Sequence, residues 1–427
     1  MTQEEIRTAT TTAPLSPAQH GIWFTEQFDG PTSLYHISFS HRLRGPLDAD
    51  ALDAALTALV RRHEPLRTRV DLSTGEPRQL VLPPGPASAK RVDLSTHPDA
   101  EAEAARENED HVLRPFRLDA EDPFRVLLLR MAEDHYILTV VLHHICADGL
   151  SLPVFSADLA VFYRGGELPP LPVGYTAHVR RALAEPPDAE ALARWRERLR
   201  GAPPLALPTD RPRPGIRSPH GGRVPLTVDA DLVGRARDHA RRHGATLFMV
   251  LLANFFAVLA RRSGVGDLSI GVPLSGREGP DEEAMIGLFT NTVVLRVDLS
   301  DGPSFAELLR RVRSTAFDAY DDGHVPFQQV VEAVSPPRDL SRTPLFQVVF
   351  TVQDFAEDDL RLPGVTATPV PLPSRTSEFE LELELAWDGA GLVGFVAYST
   401  DLFDRATAAA LADDYLASLH EHLEVTR

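Results

Sequence analysis

Apolar residues along the chain alternate between the spacing typical of strands and the spacing typical of helices. Residues 136–142 form a short run of apolar, largely β-branched side chains, which predicts a strand buried on both faces. Residues 124–131 have a similar composition and are expected to pair with that strand. Residues 378–385 alternate glutamate with Phe or Leu, which indicates one buried and one solvated face, and 391–398 is the expected neighbour.

Longer segments carry alanine and leucine at helical spacing. The first begins at Ser16 and Pro17, residue types that favour the N-cap and the first position of a helix. Both halves of the chain mix helices with strands, so the predicted fold class is α/β in the mixed, α+β sense. The other predicted helices are 48–63, 98–114, 152–164, 188–200, 230–243, 246–262, 304–320 and 404–425, and the other predicted strands are 35–43, 268–272, 292–298 and 348–353.

The length of 427 residues is large for a single hydrophobic core, so two lobes are expected. A Gly- and Pro-rich stretch at 165–174 marks the predicted boundary between them. We therefore expect a flexible leader at 1–14, an N-terminal lobe at 15–174 and a C-terminal lobe at 175–427.

Composition excludes several classes of protein. Hydrophobic residues make up 43% and charged residues 24%, as in ordinary soluble globular proteins. The net charge of -18 argues against a nucleic-acid partner, and a single cysteine excludes an internal disulfide framework. Residues 1–14 lack the apolar core of a signal peptide, and the longest apolar run, 247–260, is too short to span a bilayer. We expect a cytoplasmic protein with no membrane partner.

The clearest candidate chemistry stands at the end of the buried strand. His143 and His144 close it, and Asp148 and Gly149 follow in a turn where glycine would permit a positive φ. Adjacent strand residues point to opposite faces, so one histidine should be structural and the other should face a cavity. Two satisfied core histidines are the plainer alternative. A zinc site is disfavoured because adjacent strand residues splay apart and thiol-rich ligand sets are missing.

The pattern His-His-x-x-x-Asp-Gly resembles the core motif of the condensation domains of nonribosomal peptide synthetases, which are similar in fold to chloramphenicol acetyltransferase. Other segments resemble further motifs of that family, in the family's order and along nearly the whole chain. They are 16–19 with Trp23 for the first motif, 62–68 for the second, 143–151 for the third, 286–296 for the fifth, 324–327 for the sixth and 338–347 for the seventh.

The resemblance implies two acetyltransferase-like lobes arranged as a V, with a tunnel at their interface. It implies a floor loop at about 273–290 and a crossover segment at about 354–376. The amine of an aminoacyl thioester on an acceptor carrier protein would attack an acyl or peptidyl thioester on a donor carrier protein. No intrinsic cofactor or metal is implied, because phosphopantetheine arrives on the carriers. The expected partners are those two carriers and adjacent adenylation and carrier domains, and the domain itself is expected to be monomeric.

The resemblance also implies roles for the motif residues. His144 would be the catalytic residue, either as a general base or as a hydrogen-bonding positioner. His143 and Gly149 would support the motif. Asp148 could belong to a triad, but the family favours an ion pair that braces the motif loop, and Arg296 is its expected partner.

Further residues are expected to support or surround the reaction. Arg67 would support the second motif. Cys146 lies between apolar neighbours, where a neutral buried thiol is expected in preference to a nucleophile. The candidates for lining the substrate tunnel are Trp23, Ser151, Asn291 and Gln353.

The chain departs from the family pattern in two places. Gly21 stands where the first motif usually has arginine, and the fourth motif, expected at 175–181, is degenerate. The first departure and the residues at 30–36 are similar to subtypes with unusual or D-configured donors.

Three alternative functions stay open. An epimerisation domain shares the fold and the His-His motif, although 324–327 and 338–347 favour condensation. A free-standing enzyme could form an ester or an amide outside a synthetase. A recruitment module would bind partner enzymes without catalysis, and the intact His144, Asp148 and Gly149 argue against it.

Overall fold

The structure, a computed structural model, describes residues 11–30, 32–353 and 360–424. These residues divide into two compact units, each containing its own sheet and core, so the predicted mixed α/β class is confirmed. Unit 1 contains the described residues up to 186 together with 277–290 and 360–373, and unit 2 contains 187–276, 291–353 and 374–424.

Helices and strands alternate along the chain much as the apolar spacing predicts. Residues 11–184 form β1 (Thr11–Pro14), α1 (Pro17–Asp29), β2 (His36–Arg44), α2 (Ala49–Arg62), a 3₁₀ turn (Glu64–Arg67), β3 (Thr68–Asp71), β4 (Arg78–Val81), β5 (Lys90–Asp93), α3 (Ala100–Leu113), β6 (Phe124–Ala132), β7 (His135–His143), α4 (Ser151–Tyr163) and α5 (Tyr175–Ala184). Residues 189–424 form α6 (Ala189–Leu199), β8 (Gly221–Val228), α7 (Ala230–Arg242), α8 (Leu247–Ser263), β9 (Asp267–Leu274), α9 (Pro280–Glu283), β10 (Asn291–Asp298), α10 (Phe305–Asp321), α11 (Phe327–Val334), β11 (Val348–Gln353), β12 (Thr366–Pro369), β13 (Leu381–Asp388), β14 (Gly391–Ser399) and α12 (Arg405–Glu424).

The five-stranded sheet of unit 1 has the strand order β12-β2-β7-β6-β5, which places β7 at its centre. The predicted pairing of β6 with β7 is confirmed and is antiparallel. The side chains of β7 are buried on both faces from Ile137 onward, which accounts for the uninterrupted apolar run. Helices α2 and α4 pack together, and α2 buries the leucines at 52, 56 and 59. A second, three-stranded sheet has the order β1-β4-β3.

Two boundary predictions are wrong. Part of the predicted leader is ordered, because 11–14 form β1 and pair antiparallel with β4; residues 1–10 lie outside the described residues. Unit 1 also continues past 174 to 186, so the Gly- and Pro-rich stretch is an internal loop. Helix α5 stays with unit 1 because Thr176 donates two hydrogen bonds to Glu64, from its backbone N–H at 3.1 Å and from its hydroxyl at 2.8 Å.

Two segments assigned from sequence to the C-terminal lobe belong instead to unit 1. The predicted floor loop at 273–290 contributes 277–290, which includes the short helix α9. In the predicted crossover segment, β12 adds an antiparallel edge strand to β2. Backbone hydrogen bonding accounts for this assignment, since the Val370 N–H also donates to the Ser40 carbonyl at 2.8 Å. Residues 354–359 of the crossover lie outside the described residues.

Unit 2 is built on a six-stranded sheet with the order β10-β9-β11-β13-β14-β8. The predicted pairing of β13 with β14 is confirmed as antiparallel, and β11 runs parallel to β13. Helix α8 is buried from Met249 to Leu259 except at Ala257, and α7, α10 and α12 pack against it. Strand β8 is not among the predicted strands. The V arrangement and the tunnel stay predictions.

Among the described residues, no single helix is both long and apolar enough to cross a membrane. Helices α7 and α8 reach the necessary length and apolarity only when they are taken together, and the chain bends by 102° between them.

His239 on α7 is a buried histidine that leads to a pH prediction. It is 3% exposed, and among the described residues neither ring nitrogen has a hydrogen-bond partner. Burial, with the charges of His243, Arg242 and His422, lowers its pKa from 6.5 to about 4. Between those values the unfolded chain binds a proton that the folded chain excludes, so stability should fall as the pH drops from about 6.5 towards 4.

We therefore expect His239→Phe to stabilise the protein by about 1–3 kcal/mol, because it removes unsatisfied polar atoms from a buried site. The gain should be larger at about pH 5 than at about pH 7.5. Calorimetric melting temperatures at both pH values provide the measurement, with His220→Ala as a control, since that side chain is 73% exposed. An unchanged pH dependence in His239→Phe would contradict this assignment.

Candidate active site

The candidate site is a tight turn at the end of the central strand of unit 1. The backbone N–H of His144 donates to the Tyr35 carbonyl at 2.7 Å, so the ladder between β7 and β2 extends one residue beyond the strand. The Cys146 N–H then donates to the His143 carbonyl at 2.9 Å, which reverses the chain. The turn therefore presents His144 from the rigid centre of a sheet, where backbone freedom is low.

The hydrogen bonding of His144 defines its tautomer. Its Nδ1 lies 2.8 Å from the Ala147 carbonyl oxygen. Since a carbonyl can only accept, Nδ1 must carry the hydrogen, and in the neutral ring Nε2 then holds a lone pair. The side chain is partly exposed, and among the described residues Nε2 makes no hydrogen bond. Such a nitrogen can accept a proton or a hydrogen bond from a substrate.

His143 has a different environment, as predicted for adjacent strand residues. It is fully buried, and its Nε2 lies 2.8 Å from the Glu26 carboxylate. Its Nδ1 accepts the Ile145 N–H at 3.0 Å. The rings of His36 and Phe116 pack edge-on against it, and burial lowers the pKa of His36 to about 3. With both nitrogens engaged, His143 is a structural residue.

Asp148 braces the turn, but its partner differs from the predicted one. The carboxylate is 1% exposed and forms an ion pair with Arg277 at 2.8 Å, whose side chain is 4% exposed. Its second oxygen accepts the Phe289 N–H at 3.0 Å. The predicted pairing with Arg296 is wrong, because Arg296 forms its ion pair with Asp267 on the neighbouring strand at 2.7 Å. A triad is also disfavoured, since the Nδ1 of His144 is bound to a carbonyl.

Ser151 and Gly149 have structural roles in the same loop. Ser151 is completely buried, and its hydroxyl donates to Asp148 at 2.8 Å and accepts the Gly287 N–H at 3.1 Å. The tunnel role of Ser151 stays a prediction. The expected positive φ at Gly149 is absent too, because the chain passes directly into α4 through backbone bonds such as Leu152 N–H to the Gly149 carbonyl.

The second motif forms another set of buried contacts in unit 1. Arg62 and His63 both reach Asp158 on α4, each at 2.8 Å. The Nδ1 of His63 accepts the Ile286 N–H at 3.3 Å, and burial lowers the pKa of this ring. Burial likewise lowers the pKa of the Arg67 guanidinium. Among the described residues, the Nε and Nη1 atoms of Arg67 are buried without hydrogen-bond partners. Arg62 and His63 thus connect the second motif to α4, and the supporting role of Arg67 stays a prediction.

The other tunnel candidates lie in ordinary structural settings. Trp23 is half-buried against the core of unit 1. Both amide hydrogens of Asn291 are donated to the carbonyls of Gly323 and Val325, and its oxygen accepts the Phe327 N–H. Asn291 therefore holds the start of α11, and its tunnel role stays a prediction. Gln353 ends β11 and donates to Glu384 at 2.8 Å, so its tunnel role stays a prediction.

Sequence reasoning missed three residues that hold the site in place. Glu26 and Asp158 are acids on helices α1 and α4 and are close to the motif histidines only in the folded chain. Arg277 did carry a signal, because it is the one basic residue between 276 and 287. A buried Asp148 needs a cation, and a lone arginine in the expected floor loop was one candidate.

Cys146 is a buried thiol, as predicted. It is 2% exposed, its sulfur contacts the Pro123 carbonyl at 3.4 Å, and burial raises its pKa well above the ordinary value. We expect Cys146→Ala to keep most of the transfer activity while losing about 1 kcal/mol of stability, as for other small deletions from a core. The measurement is transfer between loaded carriers. Loss of turnover in a folded Cys146→Ala would indicate covalent catalysis.

Within the described residues, no group of three or more His, Cys, Asp or Glu side chains is arranged to hold a metal ion. The absence of an intrinsic metal or cofactor stays a prediction.

Comparison with known proteins identifies the family. The family model described as Condensation domain matches residues 9–426. Malpinin synthetase of Mortierella alpina is 39% identical over 404 residues, which cover 92% of this chain. A protein of Salinispora arenicola described as a probable non-canonical nonribosomal peptide synthetase is 37% identical over 423 residues, which cover 96% of this chain. The chain spans only 5% of the length of each of these two proteins.

Solved structures agree with the sequence comparison. The X-domain from teicoplanin biosynthesis is 31% identical, with a TM-score of 0.87, and the match covers 96% of this chain and 95% of that one. The same X-domain has been solved in a complex with OxyB. The extent of the family match and the identities with synthetases and the X-domain lead to one conclusion: the chain belongs to the condensation-domain family.

Proposed function

We propose that this chain forms amide bonds between two carrier-bound substrates. The amine of an acceptor aminoacyl thioester attacks the carbonyl carbon of a donor acyl or peptidyl thioester. The carbon–sulfur bond breaks, the donor carrier leaves as a free thiol, and the lengthened chain stays on the acceptor carrier. The thioester supplies the activation, so the reaction needs no nucleotide.

The observation that carries the proposal is the lone pair on the Nε2 of His144. With Nδ1–H held by the Ala147 carbonyl, Nε2 is available to accept a proton from the attacking nitrogen. An amine that forms a bond to a carbonyl carbon becomes cationic and must lose a proton before the product is stable. His144 would take that proton and return it to the leaving thiolate.

The surrounding contacts support a site that needs a fixed geometry. The Asp148–Arg277 pair, Ser151 and the His63–Asp158 pair hold the turn to α4 and to the segment that starts at residue 277. Orientation alone can supply a large part of a rate enhancement when the reacting groups are held in place. These contacts therefore orient His144 and do not take part in proton transfer.

Carrier proteins are the proposed partners. The relatives in Mortierella alpina and Salinispora arenicola are far longer than this chain, and the second is described as a probable non-canonical nonribosomal peptide synthetase. In such a synthetase the substrates would arrive as phosphopantetheine thioesters on donor and acceptor carriers, beside adenylation domains. Phosphopantetheine would thus belong to the partners. A D-configured donor is a further proposal, which rests on the similarity of 30–36 to D-accepting subtypes.

A recruitment module is the second candidate function. It is favoured by the 31% identity with the teicoplanin X-domain, which has been solved bound to OxyB. A recruitment module has no need for a histidine with a defined tautomer and an unengaged ring nitrogen. Binding of a partner enzyme would also survive the loss of His144, whereas transfer would not.

The testing experiment combines the chain with a donor carrier loaded with an acyl group and an acceptor carrier loaded with an amino acid. Intact-protein mass spectrometry then weighs both carriers. The proposal predicts that the acceptor gains the mass of the donor acyl group and that the donor returns to its free-thiol mass. Chiral analysis of the released product detects epimerisation instead. No mass change with any loaded pair, together with binding of a partner enzyme, would favour recruitment.

A further inference from the structure

Glu26 takes no part in the proposed transfer, yet it reaches the histidine that precedes His144. Its carboxylate lies on α1, its side chain is 10% exposed, and one oxygen is 2.8 Å from the Nε2 of His143. Removing a carboxylate from water costs free energy. The buried contact between Glu26 and His143 therefore points to a role other than keeping the protein surface soluble.

The two hydrogen bonds of His143 together define its tautomer. The backbone N–H of Ile145 points at Nδ1 from 3.0 Å, and an amide N–H can only donate. Nδ1 therefore holds a lone pair, and the ring hydrogen must be on Nε2, where Glu26 accepts it. If the hydrogen moved to Nδ1, it would face the Ile145 N–H and break the bond that holds the turn.

Helix α1 also binds the backbone carbonyl of Ile145. The side-chain amide of Gln19 donates to the Ile145 carbonyl at 2.9 Å, and Gln19 is 2% exposed. Gln19 is itself fixed by the capping box with Ser16, whose hydroxyl accepts the Gln19 N–H. The N–H and the C=O of Ile145 are thus both bound by side chains that depend on α1.

We propose that Glu26 is a positioning residue for His144, an inference that rests on the proposed transfer function. Through the ring of His143 it fixes Ile145, and with it the turn whose Ala147 carbonyl holds the Nδ1–H of His144. Glu26 touches no reacting atom. Its role is to place a hydrogen-bond acceptor at the correct distance from the Nε2 of His143, and the charge of the carboxylate is not needed for this role.

Two conservative substitutions separate geometry from charge. Glu26→Gln keeps an acceptor oxygen at the same reach and loses the charge, whereas Glu26→Asp keeps the charge and shortens the side chain by one methylene. We expect Glu26→Gln to transfer within about threefold of the wild type. We expect Glu26→Asp to lose transfer by about 10- to 100-fold, the range found for misplaced catalytic groups. The half-saturating carrier concentrations should not change in either variant.

A spectroscopic measurement tests the same point without relying on catalysis. In protein labelled with ¹⁵N in the histidine rings, the wild type and Glu26→Gln should show His144 protonated at Nδ1 only. Glu26→Asp should show a mixture of the two neutral tautomers, and His144→Ala assigns the signal by removing it. If no protein form transfers, the proposed function fails, yet these signals still decide the role of Glu26.

Two outcomes would overturn the proposal. In the first, Glu26→Asp leaves the His144 signals and the transfer rate at wild-type values. In the second, Glu26→Gln is the more impaired variant, which would assign the role of Glu26 to its charge.

Discussion

His144→Ala should lower the single-turnover rate of amide transfer at neutral pH by about 10²- to 10⁴-fold, the usual contribution of a positioned acid–base group. The expected loss comes from the removal of a single nitrogen atom. Nε2 is the ring nitrogen with a lone pair, and alanine removes it while leaving the backbone bond from residue 144 to the Tyr35 carbonyl intact. The fold should therefore survive, and carrier binding should change little. Quenched reactions of loaded carriers, weighed at successive times, measure the rate.

His220→Ala is the matched control for this experiment. It removes an imidazole that is 73% exposed and belongs to unit 2, so its transfer rate should equal that of the wild type. A His144→Ala variant as active as this control would contradict the assignment of His144 as the catalytic residue. A partial loss accompanied by lower melting temperature would instead assign the residue to the support of the turn.

Asp148→Ala should lower the free energy of unfolding by about 3–5 kcal/mol, because it leaves a buried arginine without its counter-charge. Arg277 is 4% exposed and would lose its carboxylate, and the N–H groups of Phe289 and Ser151 would lose an acceptor. Activity should fall together with stability and soluble yield. Urea unfolding followed by circular dichroism measures the change.

Two further variants test whether the loss of stability in Asp148→Ala comes from the unpaired charge of Arg277. Glu101→Ala breaks an ion pair whose glutamate side chain is 64% exposed and should leave stability close to wild type. Asp148→Ala combined with Arg277→Leu should be less destabilised than the sum of the two single changes, since the second removes the unpaired charge. A stable and well-folded Asp148→Ala that has lost all activity would contradict the brace and favour a catalytic carboxylate.

The local features of the site were largely predictable from sequence. Alternation along a strand is enough to separate His143 from His144, and apolar neighbours are enough to bury Cys146. Ser16 caps α1 as predicted, and both ends of α2 lie within one residue of the predicted limits. These properties depend on residues that are close in sequence, so the pattern of hydrophobic and polar positions predicts them.

The long-range partners were not predictable in the same way. Arg277 is 129 residues from Asp148. Although it is the one basic residue between 276 and 287, the sequence does not rank it above Arg296 as the partner of Asp148. The division of the chain failed for a related reason. A Gly- and Pro-rich stretch marks a loop, but whether the following helix joins one core or another depends on contacts such as those between Thr176 and Glu64. Such contacts are properties of the folded chain.

The central claim is that the Nε2 of His144 takes a proton from the attacking amine, and the pH dependence of His144→Ala tests it most directly. A free α-amino group has a pKa of about 7.7–8, so raising the pH supplies more neutral amine and more hydroxide to remove its proton. Single-turnover rates with an aminoacyl acceptor carrier, measured from about pH 6.5 to 9, should show the deficit of His144→Ala shrinking as the pH rises. A deficit of the same size at every pH would contradict the claim and leave His144 as a positioning group.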